Sequence, residues 1–441
     1  MDEHVFQQEL VLSAIARGGR TLQEIASKCG GLYPQELRSV LEVLMQRGKV
    51  ALSPQGYCLV EHERAGGSII QFRRPGNSYA ELPEPHPHDY DWRFDAATAQ
   101  RLANIALRES APEGNILLLG TPSVLVELLY SHEAPHTILL DRNHSLIEYL
   151  SRFHLPPLFS LVEHDLFSGN LWRGDSLVDV VLCDPPWYVE HYAAFLAQAA
   201  YVSRIGARII VSLLPPNTRP GAIVDRWEIM EIAHTLGLHV LSMESGSIHY
   251  EIPAFEQASL SSTSIEVKKN WRMGDLVTYG KVDQPSLEVV SETLSYAISM
   301  VADTHEWAEL LLDRYKVKLR GPFHDYSEEP ELLSIEEHDT LPTVSRRYKG
   351  RESIDLWLWN NRVFAVRGKA AFLAALYVLD GRPLPDTLRE VPERYLRQAL
   401  SLLLQRSGIV DFQTKKVWKV TRHAEKYRPA PYSVEGGTGT A

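Results

Sequence analysis

The chain has 441 residues, with 45 Lys and Arg against 56 Asp and Glu, a formal charge of -11 and a hydrophobic fraction of 44%. That length supplies cores for two or three domains. No apolar run approaches the ~20 residues of a membrane span, and the acidic balance argues against a broad phosphate-binding footprint. The cysteines Cys29, Cys58 and Cys183 form no metal-spaced pair and suit a reducing compartment. Met1-Asp2-Glu3-His4 is no secretory pattern. A cytoplasmic protein without a metal is expected.

Residues 1–72 read as a winged-helix module. Glu9 to Ala16 is amphipathic, and Thr21-Leu22-Gln23-Glu24 is a capping box for a second helix that Gly30-Gly31 ends. Pro34 opens a third, with Leu37, Val40, Leu41 and Leu44 on one face. Val50 to Leu52, Ser53-Pro54-Gln55-Gly56 and Tyr57 to Val60 form a hairpin. Residues 1–62 carry six Lys or Arg against seven acids, whereas a phosphate-binding module is clearly basic. Docking or dimerisation is favoured over DNA binding. Residues 73–90 read as a linker; His86 and His88 flank Pro87 with no third ligand nearby.

Residues 91–282 alternate strands and helices. A helix, Ala96–Glu109, precedes strands ending at Gly120, Asp141, Asp165 and Asp184, and another strand spans Ala207–Leu213. The succession predicts a doubly wound parallel sheet of Rossmann type. His239 to Met243 and Ser261 to Val267 read as late strands. Gly120 sits where backbone approaches a ligand. Asp141 follows 21 residues later, where a carboxylate takes ribose hydroxyls. Asp165 suits an adenine amine, with Leu166 and Phe167 as walls. Thr121 and Arg142 stand beside these acceptors. No Lys or Arg flanks the first turn, so the pattern suits an adenosine without phosphates: S-adenosylmethionine or its decarboxylated form. The turn, Gly120-Thr121-Pro122-Ser123, has a single glycine.

Val178 to Tyr188 carries the chemistry. Its strand delivers Asp184, Pro185, Pro186 and Trp187 to the sheet edge where ligands bind. Asp184 accepts hydrogen bonds from an amine, the prolines stiffen the carbonyls, and Trp187 and Tyr188 offer stacking faces. Glu190 and His191 are further proton acceptors, or part of a solvated helix face.

Asp184-Pro185-Pro186-Trp187 resembles the signature of amino-directed methyltransferases acting on adenine, cytosine or glutamine nitrogens. The resemblance implies that Asp184 and the following carbonyl hold the target amine while Trp187 stacks on it. From Asn115 to Trp227 the chain also resembles the branched-chain polyamine synthases, which add aminopropyl groups to spermidine. The matching landmarks are Leu118-Leu119-Gly120, Leu140-Asp141, His164-Asp165-Leu166, Cys183-Asp184-Pro185-Pro186 and, more loosely, Thr218-Arg219 with Asp225-Arg226-Trp227. Together these imply a class I methyltransferase-like fold. That family follows its motif glycine with aspartates that help hold the polycation; here Thr121, Pro122 and Ser123 stand there. Methyl transfer is therefore favoured over aminopropyl transfer.

Residues 283–441 read as a helical, winged-helix-like α+β module. Leu287 to Val317 is expected to be one long helix and 326–340 an acidic loop. Asp355 to Val366 is expected to form a hairpin with Trp357 and Trp359 on one face. Leu396 to Arg406 echoes Leu37 to Arg47, with a β-prone run after each. Residues 415–428 are basic. The acceptor is an amine-bearing small molecule, with nucleic acid the weaker alternative; a non-catalytic scaffold is the third reading. The terminal modules suit self-association or a protein partner.

Overall fold

A computed structural model describes residues 3–16, 18–28, 34–60, 82–111, 113–131, 134–153, 155–216, 218–262, 271–301 and 306–406. The chain divides into two compact units. One takes in the described residues of 1–83, 89–253 and 267–303, the other those of 84–88, 254–266 and 304–441.

The first unit begins with α1 (Glu3–Ala16), α2 (Leu22–Lys28), α3 (Pro34–Gln46) and an antiparallel hairpin of β1 (Val50–Ser53) and β2 (Gly56–Leu59). The Thr21 hydroxyl accepts from the Glu24 amide at 3.2 Å, and the Glu24 carboxylate accepts from the Thr21 amide at 3.0 Å. Val11, Ile15, Ile25, Leu37, Leu41 and Leu44 form a small core. The helix stop expected at Gly30-Gly31 lies outside the described residues. The winged-helix assignment goes beyond this order of elements.

The sheet region runs α4 (Ala96–Glu109), β3 (Asn115–Leu119), α5 (Pro122–Leu129), β4 (His136–Asp141), α6 (His144–Ser151), β5 (Phe159–Glu163) and β6 (Val178–Cys183). It continues with α7 (Val189–Val202), β7 (Ser203–Leu213), α8 (Ala222–Thr235) and β8 (Leu238–His249). After α9 (Ala254–Ser262), which belongs to the second unit, come β9 (Met273–Lys281) and α10 (Leu287–Ser299). The strand order is β5-β4-β3-β6-β7-β9-β8. Alternate residues face opposite ways along a strand. Leu117, Leu119, Leu140, Val181 and Val211 pack under α7, α8 and α10. Ile116, Leu118, Leu139, Val180 and Ile210 pack under α4, α5 and α6.

Three sheet expectations need correction. The sheet is mixed, because β9 runs antiparallel to both β7 and β8. An antiparallel strand fills the gap that the α8 crossover leaves between two parallel ones. Ser261 and Ser262 lie in α9, and the remainder of that expected strand falls outside the described residues; among the described residues β9 is the last strand to join the sheet. Leu287 to Val317 is not one helix. Helix α10 ends at Ser299, and the alternating runs β10 (Trp307–Leu312) and β11 (Tyr315–Arg320) pair across a turn where Asp313 takes φ 64°.

In the second unit, β12 (Glu331–Ser334), β13 (Leu356–Leu358), β14 (Val363–Arg367), α11 (Lys369–Asp380) and α12 (Glu393–Arg406) follow. The sheet is antiparallel, in the order β10-β11-β13-β14-β12. The expected hairpin is present, and the acidic stretch contains a strand. The two tryptophans do not share a face: Trp359 lies beyond β13, so Trp357 packs with Leu341, Ile354 and Val363 and Trp359 with the main core. The β-prone run after Arg406 and the basic 415–428 stretch lie outside the described residues. His86 is buried, with Nε2 hydrogen-bonded to the Trp357 carbonyl at 3.1 Å. Among the described residues no helix is long and apolar enough to cross a membrane, and no group of three His, Cys, Asp or Glu could hold a metal.

Candidate active site

The parallel strands β3 to β6 all end at one edge of the sheet, and the acceptors predicted from their spacing meet there. A cleft of about 730 Å³, open solvent at its mouth included, is lined by Gly120, Asp141, Arg142, Asp165, Leu166, Asp184 and Pro186. Thr121, Pro185 and Trp187 are not in that lining.

Gly120 takes φ +63°, a region that costs other residues roughly 1–2 kcal/mol. A Cβ there would make ordinary contact, 3.4 Å from Phe195 Cε1 and 3.8 Å from the Asp184 carbonyl, so the backbone angle rather than space is what favours glycine. The Thr121 hydroxyl is buried and finds no hydrogen-bond partner among the described residues. Asp141 accepts from the Asn143 amide at 2.8 Å, which turns the chain after β4. Asp165 caps a short 3-10 turn, accepting from the Phe167 amide at 2.9 Å. That turn sets buried Leu166 and half-buried Phe167 beside the acids. The orphaned Thr121 hydroxyl next to Gly120 and the carboxylates of Asp141 and Asp165 have the chemistry to meet the hydroxyls and amine of an adenosine.

Asp184 is half-buried at the end of β6. It accepts from the Tyr250 hydroxyl at 2.7 Å, and that hydroxyl lies 2.5 Å from Ser212 Oγ. The buried Tyr192 hydroxyl donates to the Ser212 carbonyl at 3.0 Å and accepts from the Leu214 amide at 2.9 Å. Burial pushes the Asp184 carboxyl up to about 7; hydrogen bonds from Tyr250 and Ser212 and the charge of Arg272 oppose the rise, and Asp91 adds to it. A carboxylate poised near neutral pH can hold an amine and take its proton.

The Pro186 carbonyl accepts from the Tyr188 amide at 2.7 Å. Trp187 is half-buried, and one of its faces is covered by the Arg272 guanidinium, 4.4 Å from the ring centroid. Glu190 and His191 are both buried, which excludes a solvated helix face; His191 lines the cleft, edge-on to Phe167 at 5.0 Å and Tyr90 at 5.7 Å.

Several lining residues come from outside the motifs. Asp89 and Tyr90, read as the end of a linker, and Asp91 and Trp92, read as the start of the sheet region, form part of the cleft wall. Tyr90 holds a left-handed φ of 57°, uncommon for an aromatic residue and a mark of a constrained position. The alternation of acid and aromatic in Asp-Tyr-Asp-Trp was the available signal. Nothing local in sequence marks Tyr250 or Arg272.

A family model described as probable N6-adenine methyltransferase matches residues 91–214. No curated protein matches the chain. The branched-chain polyamine synthase of Thermus thermophilus, solved with N4-aminopropylspermidine and 5'-methylthioadenosine, is 15% identical over 64% of this chain and 88% of its own, with a TM-score of 0.40. An O-methyltransferase of neocarzinostatin biosynthesis, solved with S-adenosylmethionine, is 16% identical over 64% of this chain and 95% of its own, at 0.28. A methyltransferase of Streptomyces caelestis is 12% identical over 44% and 98%, at 0.32. The mixed sheet resembles the class I methyltransferase fold, and the matched stretch contains Gly120, Asp141, Asp165 and Asp184.

Proposed function

We propose that the protein is an S-adenosylmethionine-dependent transferase that alkylates an amino nitrogen, by methyl transfer. The observation that carries this reading is the convergence of Gly120, Asp141, Asp165 and Asp184 on one cleft at the ends of successive parallel strands. Asp141 would take the ribose hydroxyls and Asp165 the adenine amine, with Leu166 flanking the ring and Thr121 and Arg142 completing the site. When bound, the cofactor supplies an electrophilic carbon on its sulfonium. Asp184 and the Pro185 carbonyl, stiffened by Pro186, would orient the acceptor amine against that carbon, so that positioning supplies most of the rate. Asp184 would then accept the proton that the alkylated nitrogen releases. Trp187 would border the acceptor.

Aminopropyl transfer from the decarboxylated cofactor is the second reading, favoured by one observation. Asp89 and Asp91 bring to the cleft carboxylates that the turn after Gly120 lacks. They would hold an alkylammonium and disfavour the methionine carboxylate of the intact cofactor. The terminal modules would serve docking or self-association.

Calorimetric titration with S-adenosylmethionine, its decarboxylated analogue and the demethylated thioether tests both readings, with Asp141→Ala as control. Tighter binding of the intact cofactor supports methyl transfer, and preference for the decarboxylated form supports aminopropyl transfer. Failure of all three to bind refutes the transferase.

A further inference from the structure

Arg272 precedes β9, and its guanidinium carbon lies 3.8 Å from the Trp92 ring centroid and 4.4 Å from that of Trp187. Tyr250 meets both indoles edge-on, at 87° and 79°, and its hydroxyl donates to Asp184. The guanidinium thus lies over both indoles and fills the slot that they bound, with Tyr250 edge-on to each and hydrogen-bonded to Asp184. Trp92 and Asp184 also line the cleft, so slot and cleft adjoin.

A guanidinium between two aromatic faces gains cation–π attraction on both sides while its flat shape fills the gap. The positive charge is felt by Asp184. The chain's own side chain therefore displays what the slot accepts: a thin group with delocalised positive charge. A bulky alkylammonium offers no such plane, and a neutral base lacks the charge.

We propose that the Trp92–Trp187 slot is a guanidinium subsite filled from within the chain by Arg272, and that an acceptor bearing a guanidinium-like flat cation reaches Asp184 by displacing it. The acceptor role rests on the transferase reading; the subsite does not. A tethered side chain competes at an effective concentration on the order of millimolar, so wild-type protein resists free ligands below that range.

The test uses full-length Arg272→Ala and, keeping an unbranched apolar stem, Arg272→Met, each checked for an unchanged melting profile. Methylguanidine, spermidine and adenine are titrated into the millimolar range while tryptophan fluorescence is read. Methylguanidine should bind either variant about tenfold or more tighter than wild type, and Trp92→Ala in the Arg272→Ala background should abolish the gain. Equal gains for spermidine overturn the requirement for flatness. A larger gain for adenine overturns the requirement for charge. No gain for methylguanidine overturns the subsite. S-adenosylmethionine titration of the same proteins separates the two failures. Cofactor binding without the methylguanidine gain refutes the slot and leaves the transferase. The gain without cofactor binding does the reverse.

Discussion

Asp184→Asn isolates the consequence of burying a carboxyl at the cleft. Asparagine keeps the shape and the oxygen that accepts from Tyr250, and it removes the ionisation. In the folded protein burial pushes the Asp184 carboxyl up to about 7, from an ordinary value of 3.8. Between those values the unfolded chain releases a proton that the folded protein retains, so stability falls as pH rises through the window. Each unit of mismatch is worth about 1.4 kcal/mol. From pH 5 to pH 8 wild type should lose about 2–3 kcal/mol relative to the variant, with the difference levelling off above the folded value. For a unit of this size, at about 2–4 °C per kcal/mol, that corresponds to a melting shift of roughly 4–12 °C. Hydrogen exchange at β6 read against pH, beside melting curves, follows the unit that contains the site. Parallel profiles for the two proteins would refute the assignment of the raised carboxyl to Asp184.

Tyr250→Phe removes a hydrogen bond that holds the Asp184 carboxyl down. The midpoint of the same pH-dependent difference should move above 7, at a cost of about 0.5–1.5 kcal/mol for the lost hydrogen bond, with Ser212 still facing Asp184. Asp141→Ala should weaken S-adenosylmethionine by about tenfold or more in calorimetry, the loss of charge-assisted hydrogen bonds, and should cost about 0.5–1.5 kcal/mol of stability through the lost bond from the Asn143 amide. Gly120→Ala should cost roughly 1–2 kcal/mol through its left-handed φ, and cofactor binding should fall with it. Asp275 is buried, accepting from Arg226 at 2.7 Å and from the Gly246 amide at 2.8 Å. Asp275→Ala strands the Arg226 charge and should destabilise by about 3–5 kcal/mol in urea unfolding, where a change under 1 kcal/mol would contradict the buried pair.

The sheet core was legible because its strands are short apolar runs closed by glycine or aspartate. Helix α4 falls at the expected residues. The four strand-end acceptors were legible for the same reason: in parallel strands, position along the chain fixes position along the edge. Direction was not legible. Met273-Gly274-Asp275-Leu276 carries a glycine and an acid, residue types common in turns, and only pairing on both sides makes it β9. The stretch after Ser299 was misread because the Leu run of β10 fits helical and strand periods alike over so few residues. The site's remaining members lie far off in sequence. Tyr250 is 66 residues from the carboxylate it serves, and Asp89 to Trp92 precede the sheet in a stretch rich in proline.

The antiparallel direction of β9 also explains the site. Parallel strands end at the edge where the cleft opens, and an antiparallel strand begins there. Strand β8 is paired antiparallel to β9, which is itself antiparallel to β7, so β8 runs with the parallel set and its last residues deliver Tyr250 to Asp184. Strand β9 starts at that same edge, and the residue just before it is Arg272. A seventh strand running parallel would have placed its first residues at the opposite edge, away from Asp184, with nothing to fill the gap between Trp92 and Trp187. The buried Arg226–Asp275 pair ties the start of β9 to α8, and the Arg226 guanidinium also donates to the Leu214 carbonyl at 2.6 Å, beyond β7. One reversed strand therefore supplies both the cation that faces Asp184 and the anchor that fixes where that cation emerges. Loosening the anchor by Asp275→Ala should for this reason also release the Trp187 fluorescence that Arg272 perturbs, a coupling absent if the two residues act separately.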